Sequence, residues 1–137
     1  MDLGAAPEAN PAWVVTTDKS DSNFGEELDA AGDVDGDGFG DIIVGAPEYS
    51  DLEQSDGRAF LYRGAATHMS TVPAWTDSSG GVRRGIFGVS VLGAGDVDAD
   101  GLDDLLIGST GYAGVDFDQP AVLLFTGGVD GFGAGPS

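Results

Sequence analysis

The sequence predicts an all-β fold built from short antiparallel strands. Glycine is unusually frequent, at 24 of 137 residues. Short apolar runs are bounded by Gly, Asp, Ser or Pro, a pattern typical of strands and turns rather than of helices. No segment suggests a helix of about ten residues. With 41% hydrophobic residues, the composition indicates a turn-rich folded chain and not a disordered one.

A 63-residue repeat organises the chain. Setting Phe24 against Phe87 aligns FGEELDAAGDVDGDGFGD with FGVSVLGAGDVDADGLDD, which are identical at 10 of 18 positions without a gap. The same offset persists downstream, where Tyr49 meets Tyr112. The chain is therefore about two repeats long.

Each repeat accommodates four strands. The predicted ranges are 25–32, 41–47, 58–63 and 73–77 in the first copy, and 88–95, 104–109 and 121–126 in the second. One more strand is expected over 13–17, because Pro-Ala-Trp at 11–13 recurs at 73–75. Four-stranded units that repeat at this length predict β-propeller blades, since one such sheet is too thin to bury both of its faces.

The repeat also predicts domain boundaries and self-assembly. We expect an N-terminal tail at 1–10, a leading strand at 11–17 that completes a blade, a first blade at 18–77, and a second blade at 78–137 that lacks its last strand. Two blades cannot close a ring by themselves. A strand of one copy that completes the open blade of another would cover exposed edges, so a ring of three or four copies is expected.

Two aspartate-rich loops carry the predicted chemistry. Each has Asp at loop positions 1, 3, 5 and 9, glycine at position 6, and a residue at position 7 whose backbone carbonyl can serve as a ligand. Calcium prefers six to eight oxygen ligands, and four carboxylates in one small loop repel each other without a cation. Two Ca²⁺ ions per chain are therefore predicted. The ligands are Asp33, Asp35, Asp37, Phe39 and Asp41 in the first loop, and Asp96, Asp98, Asp100, Leu102 and Asp104 in the second.

The spacing separates these loops from EF-hands. An EF-hand closes with a bidentate Glu at position 12, but Val44 and Ile107 stand there, inside apolar β runs. The bidentate ligand is therefore expected at position 9, in a loop between two strands. Solvated Asp-Gly turns without metal are the alternative interpretation. Asp103, beside Asp104, is expected to be an exposed carboxylate and not a ligand.

The motifs resemble a known family. Phe24-Gly25, then GDVDGDGFGD, then IIVGAP resembles the FG-GAP repeat of integrin α-subunit β-propellers and of many bacterial secreted or surface proteins. The second copy departs from it, with Gly-Ser-Thr at 108–110 in place of Gly-Ala-Pro. Over residues 11–137 the resemblance implies a propeller of about seven blades. It also implies that calcium lies between the first and second strand of a blade, on the face away from ligand, and stiffens the propeller.

The net charge and the residue usage argue against several classes of function. A net charge of −19 argues against nucleic acid and against an anionic membrane surface. The absence of cysteine excludes thiolate metal sites. The single histidine, His68, is expected in a loop without catalytic partners, so no enzyme activity and no catalytic residue are predicted. Residues 1–10 lack the pattern of a signal peptide, and no membrane insertion is expected. The resemblance implies a secreted or cell-surface parent protein.

The predicted function is a calcium-binding structural scaffold for protein–protein interaction or adhesion. The alternatives are a carbohydrate-binding, lectin-like propeller and a fragment with no ligand of its own. Trp13 and Trp75 occupy equivalent positions and are expected to pack between blades, with sugar stacking as the alternative. The loops that begin at Tyr49 and Tyr112 are the candidates for contact with a protein or glycan ligand. Copies of the chain itself are the other expected partner.

Overall fold

The structure is a computed structural model that describes residues 11–51, 53–113, 119–129 and 132. These residues form seven β-strands and no helix. The strands are β1 Glu27–Gly32, β2 Asp41–Ala46, β3 Arg58–Tyr62, β4 Trp75–Ser78, β5 Ser90–Gly95, β6 Asp104–Ser109 and β7 Ala121–Phe125. Each lies where the repeat predicted a strand, so the all-β fold class is confirmed.

The strands form two antiparallel sheets that follow chain order. The first sheet has the order β1-β2-β3-β4, and the second has the order β5-β6-β7. The pairings of β1 with β2 and of β5 with β6 have equivalent registers. Both also shift register just before the last glycine of the first strand, Gly32 or Gly95. The bulge is therefore a property of the repeat.

The hydrophobic core lies between the two stacked sheets. The backbones approach closely where β1 packs against β5, since a Cβ atom on Gly93 would lie 2.2 Å from the carbonyl oxygen of Ala30. A side chain adds to this contact, because the Gly93 N–H donates to Asp29 Oδ2 over 2.9 Å. The large side chains that this packing buries completely are Ile43, Leu61, Phe87, Leu105, Ile107 and Phe125.

Both tryptophans pack on the following repeat unit. The ring of Trp75, in β4 of the first sheet, lies edge-on to Phe125 of the second sheet, with 5.1 Å between ring centroids. Trp13 makes the same contact one repeat earlier, with Tyr62 at 5.3 Å. The predicted packing between blades is therefore confirmed for Trp75, and for Trp13 it stays a prediction, because the described residues include no preceding sheet.

Residues 11–17 form no strand within the described chain, so the leading strand that completes a blade stays a prediction. Residues 13, 15 and 17 are half-buried and 12, 14 and 16 are exposed, which is the alternation of a strand, but the segment forms no ladder. The physical reason is the absence of a partner. Its equivalent, β4, is hydrogen-bonded to β3 of its own sheet, and the described residues contain no third strand of a preceding sheet.

The predicted blade boundaries stay predictions. The tail at 1–10 and the end of the chain at 133–137 lie outside the described residues. Strand β4 runs to Ser78, one residue past the expected end of the first blade. Among the described residues the second sheet has three strands, as expected for a blade whose fourth strand comes from elsewhere.

Candidate metal centre

The two aspartate loops occupy equivalent places, each joining the first and second strand of its sheet. Residues 33–41 join β1 to β2, and residues 96–104 join β5 to β6. Carboxylate oxygens converge in both loops, with one oxygen from each member of a cluster within 4.8 Å of the others. The clusters are Asp33, Asp35 and Asp37 in the first loop, and Asp96, Asp98 and Asp104 in the second. Asp41 and Asp100 lie in the same loops but outside these triads.

The same hydrogen bonds fold both loops. The carboxylate at position 1 accepts the N–H groups of positions 5 and 6, over 3.1 and 2.9 Å in the first loop and 3.1 and 2.8 Å in the second. The position 3 carboxylate accepts the position 5 N–H, and the position 5 carboxylate accepts the position 7 N–H. Each Asp side chain thus turns the backbone inward and brings the next carboxylate toward the same point.

Position 6 requires glycine for a conformational reason. Gly38 has φ of 89° and Gly101 has φ of 91°, a region that residues with a Cβ rarely adopt. Position 4 is also left-handed, with φ of 78° at Gly36 and 62° at Ala99. The predicted sharp turn is therefore present in both copies, with a strained alanine in the second.

The position 9 carboxylate fastens each loop to the segment that directly follows the third strand of its sheet. Asp41 is buried, and its two oxygens accept the N–H groups of Val34 and Gly64, both over 3.0 Å. Asp104 is bound in the same way by the equivalent residues, over 2.7 and 2.8 Å. We expected the position 9 carboxylate to be a bidentate metal ligand. In the structure each of its two oxygens accepts a backbone N–H. The sequence signal for this fastening role was the recurrence of Gly64 at position 127.

Burial and crowding perturb the carboxylates. Burial raises the pKa of Asp41, and the nearby Asp35 and Asp37 raise it further, although the N–H groups of Val34 and Gly64 act in the opposite direction. Burial is also the main cause that raises the pKa of Asp35. A raised pKa means that the surroundings disfavour the ionised form, and a bound cation would relieve this unfavourable effect.

The pKa values of two further loop aspartates shift in opposite directions. Partial desolvation acts to raise the pKa of Asp33, but N–H donors led by Gly38 and Gly36 outweigh it, so the pKa is lowered. In the second loop, desolvation raises the pKa of Asp98, with a further contribution from the charge on Asp100. Hydrogen bonding thus favours the ionised form of Asp33, which is the form that binds a metal ion.

An arginine distinguishes the first loop from the second. The Nε atom of Arg63 lies 2.8 Å from Asp35 Oδ2, so a guanidinium neutralises part of the first carboxylate cluster. The equivalent residue of the second copy is the uncharged Thr126. The two loops therefore present different charge to a cation.

The expectation of an exposed Asp103 is wrong. The residue is half-buried, and its Oδ2 atom accepts the N–H of Asp33 over 2.8 Å. Asp103 belongs to the second loop but is bonded to the first, because the two loops lie at the same end of adjacent sheets. Its equivalent in the first copy is Gly40, so the repeat itself carried no signal for this contact.

The other candidate residues lie away from the loops. Tyr49 is buried, and its hydroxyl donates to Asp18 over 2.9 Å. The Arg58 guanidinium lies over the Tyr49 ring, 5.1 Å from the ring centroid. Tyr112 packs against Phe87 at 6.0 Å. Both tyrosines thus have structural contacts. Residues 114–118, in the loop that begins at Tyr112, lie outside the described residues. His68 is exposed.

Comparison with known proteins gives the family. The FG-GAP repeat model matches residues 24–62. Integrin alpha-7 of Rattus norvegicus is 40% identical over 89 residues, which cover 65% of this chain and 7% of that protein. Integrin alpha-V of Gallus gallus is 39% identical over 93 residues, which cover 66% of this chain and 9% of that protein. Integrin alpha-5 of Xenopus laevis is 30% identical over 110 residues, which cover 76% of this chain and 10% of that protein.

The chain spans about a tenth or less of the length of these curated relatives. Among the described residues there is no helix of the length and apolarity needed to cross a membrane. FG-GAP repeats form β-propeller blades, so the two stacked sheets are blades. The motif, the fold and the integrin relatives together place this chain in the FG-GAP repeat family.

Proposed function

We propose that this chain is a calcium-stabilised FG-GAP propeller module that acts as a non-enzymatic scaffold for protein–protein interaction or adhesion. The observation that carries the proposal is the convergence of three carboxylates within 4.8 Å in each of two loops. Two sequences that differ at several positions fold their aspartates with the same hydrogen bonds. Both clusters hold the carboxylates of positions 1 and 3 close to a third carboxylate, an arrangement of like charges that a bound cation would stabilise.

The residues fit calcium rather than a softer metal. The described side chains at each cluster offer only carboxylate oxygens, which are hard ligands that suit Ca²⁺. Asp33, Asp35 and Asp37 would hold the first ion, with Asp41 and the Phe39 carbonyl beside them. Asp96, Asp98 and Asp104 would hold the second, with Asp100 and the Leu102 carbonyl. Two Ca²⁺ ions per chain are proposed.

Bound calcium would stabilise the blade by neutralising carboxylates that otherwise repel each other. Because Asp41 and Asp104 each fasten a loop to the segment that follows the third strand, an ordered loop links the first two strands to the end of the third. Metal binding to the folded chain alone stabilises it, by about 2.7 kcal/mol per site at a hundredfold excess over Kd. The structural role of the metal follows from that linkage.

Thermal unfolding tests the metal directly. We expect the unfolding midpoint to rise in excess Ca²⁺ relative to a chelator, and to rise less in equal Mg²⁺, which demands a more regular octahedral site. The matched control carries Asp35→Asn and Asp98→Asn, which keep one oxygen acceptor in each loop but remove charge. An equal midpoint with Ca²⁺ and with chelator would contradict the proposal.

The proposed self-assembly rests on two sheet faces that none of the described residues covers. Leu28 of the first sheet is 63% exposed, whereas its equivalent in the second sheet, Val91, is 4% exposed because the first sheet covers it. The face around Leu28 forms an apolar groove of about 370 Å³, lined by residues that include Trp13, Val14, Phe24 and Val44. This face therefore resembles one side of an interface that already exists inside the chain.

The opposite end of the stack supplies the complementary face. Ala59 is buried under the second sheet, but its equivalent, Val122, is exposed, as is Leu92. We propose that the Val122 face of one copy packs on the Leu28 face of the next. Such a head-to-tail contact closes into a ring when the rotation permits, here with three or four copies. Segment 13–17 of one copy would then lie beside β7 of its neighbour.

Light scattering tests the assembly separately from the metal. In excess Ca²⁺ we expect the mass of three or four chains. Leu28→Glu should give monomers, because it places a charge in the apolar contact. Thr67→Glu, which adds the same charge on an exposed loop, is the control. A wild-type chain that is monomeric over the whole concentration range would contradict self-assembly while leaving the calcium proposal intact.

Carbohydrate binding is less well supported. Trp13 and Trp75 are half-buried and pack edge-on against aromatic rings of the protein, which reduces the ring surface available to stack on a sugar. The integrin relatives favour a protein ligand, and a secreted or cell-surface parent protein is proposed on the same resemblance.

A further inference from the structure

The two aspartate loops are joined through Asp103. Its side chain accepts the N–H of Asp33 over 2.8 Å, and its own N–H donates to the carbonyl oxygen of Asp33 over 3.1 Å. Asp103 thus satisfies both backbone groups of the residue at position 1 of the first loop. Asp103 itself lies between the position 7 and position 9 residues of the second loop.

The contact leaves little room for one loop to move alone. A Cβ atom on Gly32 would lie 2.2 Å from Asp103 Oδ2, and one on Gly36 would lie 2.9 Å from Leu102 Cδ2. The Gly128 N–H, just after β7, also donates to the carbonyl oxygen of Val34 over 3.0 Å. The first loop is therefore packed at the backbone level on the second sheet and its loop.

We infer that Asp103 couples the two proposed calcium loops, so that an ion in the second loop raises the affinity of the first. The inference rests on the proposed calcium function. An ion that fixes Leu102 and Asp104 also fixes Asp103 between them, and Asp103 holds the backbone of Asp33. The first loop then binds with part of its ordering cost already met. By linkage, an ion in the first loop raises the affinity of the second by the same factor.

Asp103 acts here as a positioning residue and not as a ligand. Its carboxylate is directed to the backbone of the first loop, outside both carboxylate clusters. Its charge could also attract an ion to the first loop without any coupling. Asp103→Asn separates the two effects, because the amide oxygen still accepts the Asp33 N–H while the charge is lost. Asp103→Gly removes the acceptor and reproduces the residue of the first copy.

Isothermal calorimetry with calcium alone tests the coupling as a double-mutant cycle. The second loop is disabled by Asp96→Asn with Asp98→Asn, which keep oxygen acceptors for the backbone. We expect this change to weaken calcium binding by the first loop roughly fivefold, the low end of ordinary coupling. In the Asp103→Gly background the same change should leave the first loop's affinity unaltered, and in Asp103→Asn the coupling should persist.

The outcomes separate the two proposals. If neither loop binds calcium, the proposed function itself fails. If both bind but the first loop's affinity is unaffected by disabling the second, or falls equally with and without the Asp103 side chain, only the coupling is overturned.

A second measurement covers the case in which Asp103→Gly fails to fold. Calcium at the second loop should slow hydrogen exchange of the Asp33 amide in a chain whose first loop carries Asp35→Asn and Asp37→Asn. An exchange rate for Asp33 that is independent of calcium would overturn the coupling without any change at Asp103.

Discussion

The two aspartate loops have the same internal hydrogen bonds but very different surroundings. Val34, at position 2 of the first loop, is completely buried, whereas its equivalent in the second loop, Val97, is 52% exposed. Asp35 is buried and Asp98 is exposed. The cause is the second sheet and its loop, which cover the first loop, whereas no described residue covers the second loop in this way. Loop sequence thus sets the internal fold, and the neighbouring blade sets the burial.

The largest predicted effect concerns the buried carboxylate at position 9, which both loops contain. Asp41→Ala and Asp104→Ala each remove a buried carboxylate that accepts two backbone N–H groups. Hydrogen bonds to a charged group contribute about 1.5–3 kcal/mol each, so each variant should lose about 3 kcal/mol or more of unfolding free energy. Urea denaturation in chelator measures this without metal. A loss in only one loop would break the equivalence.

The next prediction tests the difference in burial. Val34→Ala should cost about 2 kcal/mol, from the lost apolar area and the cavity left behind. Val97→Ala, at an exposed site, should change the unfolding free energy by less than about 0.5 kcal/mol. The matched pair is measured by urea denaturation at low protein concentration. If the protein assembles through its exposed faces, the cost at Val97 should increase with protein concentration, and equal costs in the monomer would contradict the described packing.

The sequence predicted the strands well because Gly, Asp, Ser or Pro bounds the apolar runs. All seven strands were predicted with ends displaced by at most two residues. The segment 13–17 has the alternation of a strand, but a strand also needs a ladder partner, which a local pattern does not contain. The contact of Asp103 was missed for a similar reason: it joins positions 70 residues apart in different repeats, and Gly40 gave no precedent.

A smaller effect is expected at position 4, where the backbone is left-handed in both loops. Ala99, with φ of 62°, should gain stability by about 0.5–1 kcal/mol on substitution to glycine. The reverse change, Gly36→Ala, should destabilise the chain by at least as much, because its Cβ would also lie 2.9 Å from Leu102 Cδ2. Thermal unfolding in chelator compares the two. A loss of stability in Ala99→Gly would contradict the strained geometry.

The smallest predicted effect concerns the cation beside the first loop. Arg63→Thr removes a partly exposed guanidinium that pairs with Asp35 and repels an incoming ion. First-loop calcium affinity should rise about threefold, in keeping with the modest energy of a pair near the surface. Thr126→Arg should lower the affinity of the second loop by a similar factor. Calorimetry measures both, and the same direction of change in the two variants would contradict the charge argument.

The stoichiometry of calcium binding tests the central claim most directly. Calorimetric titration of the wild-type chain should give two ions per chain. One should remain when the first loop carries Asp33→Asn with Asp35→Asn, one when the second carries Asp96→Asn with Asp98→Asn, and none when both are changed. Binding that is absent in the wild-type chain, or that survives all four substitutions, would contradict the assignment of these loops as calcium sites.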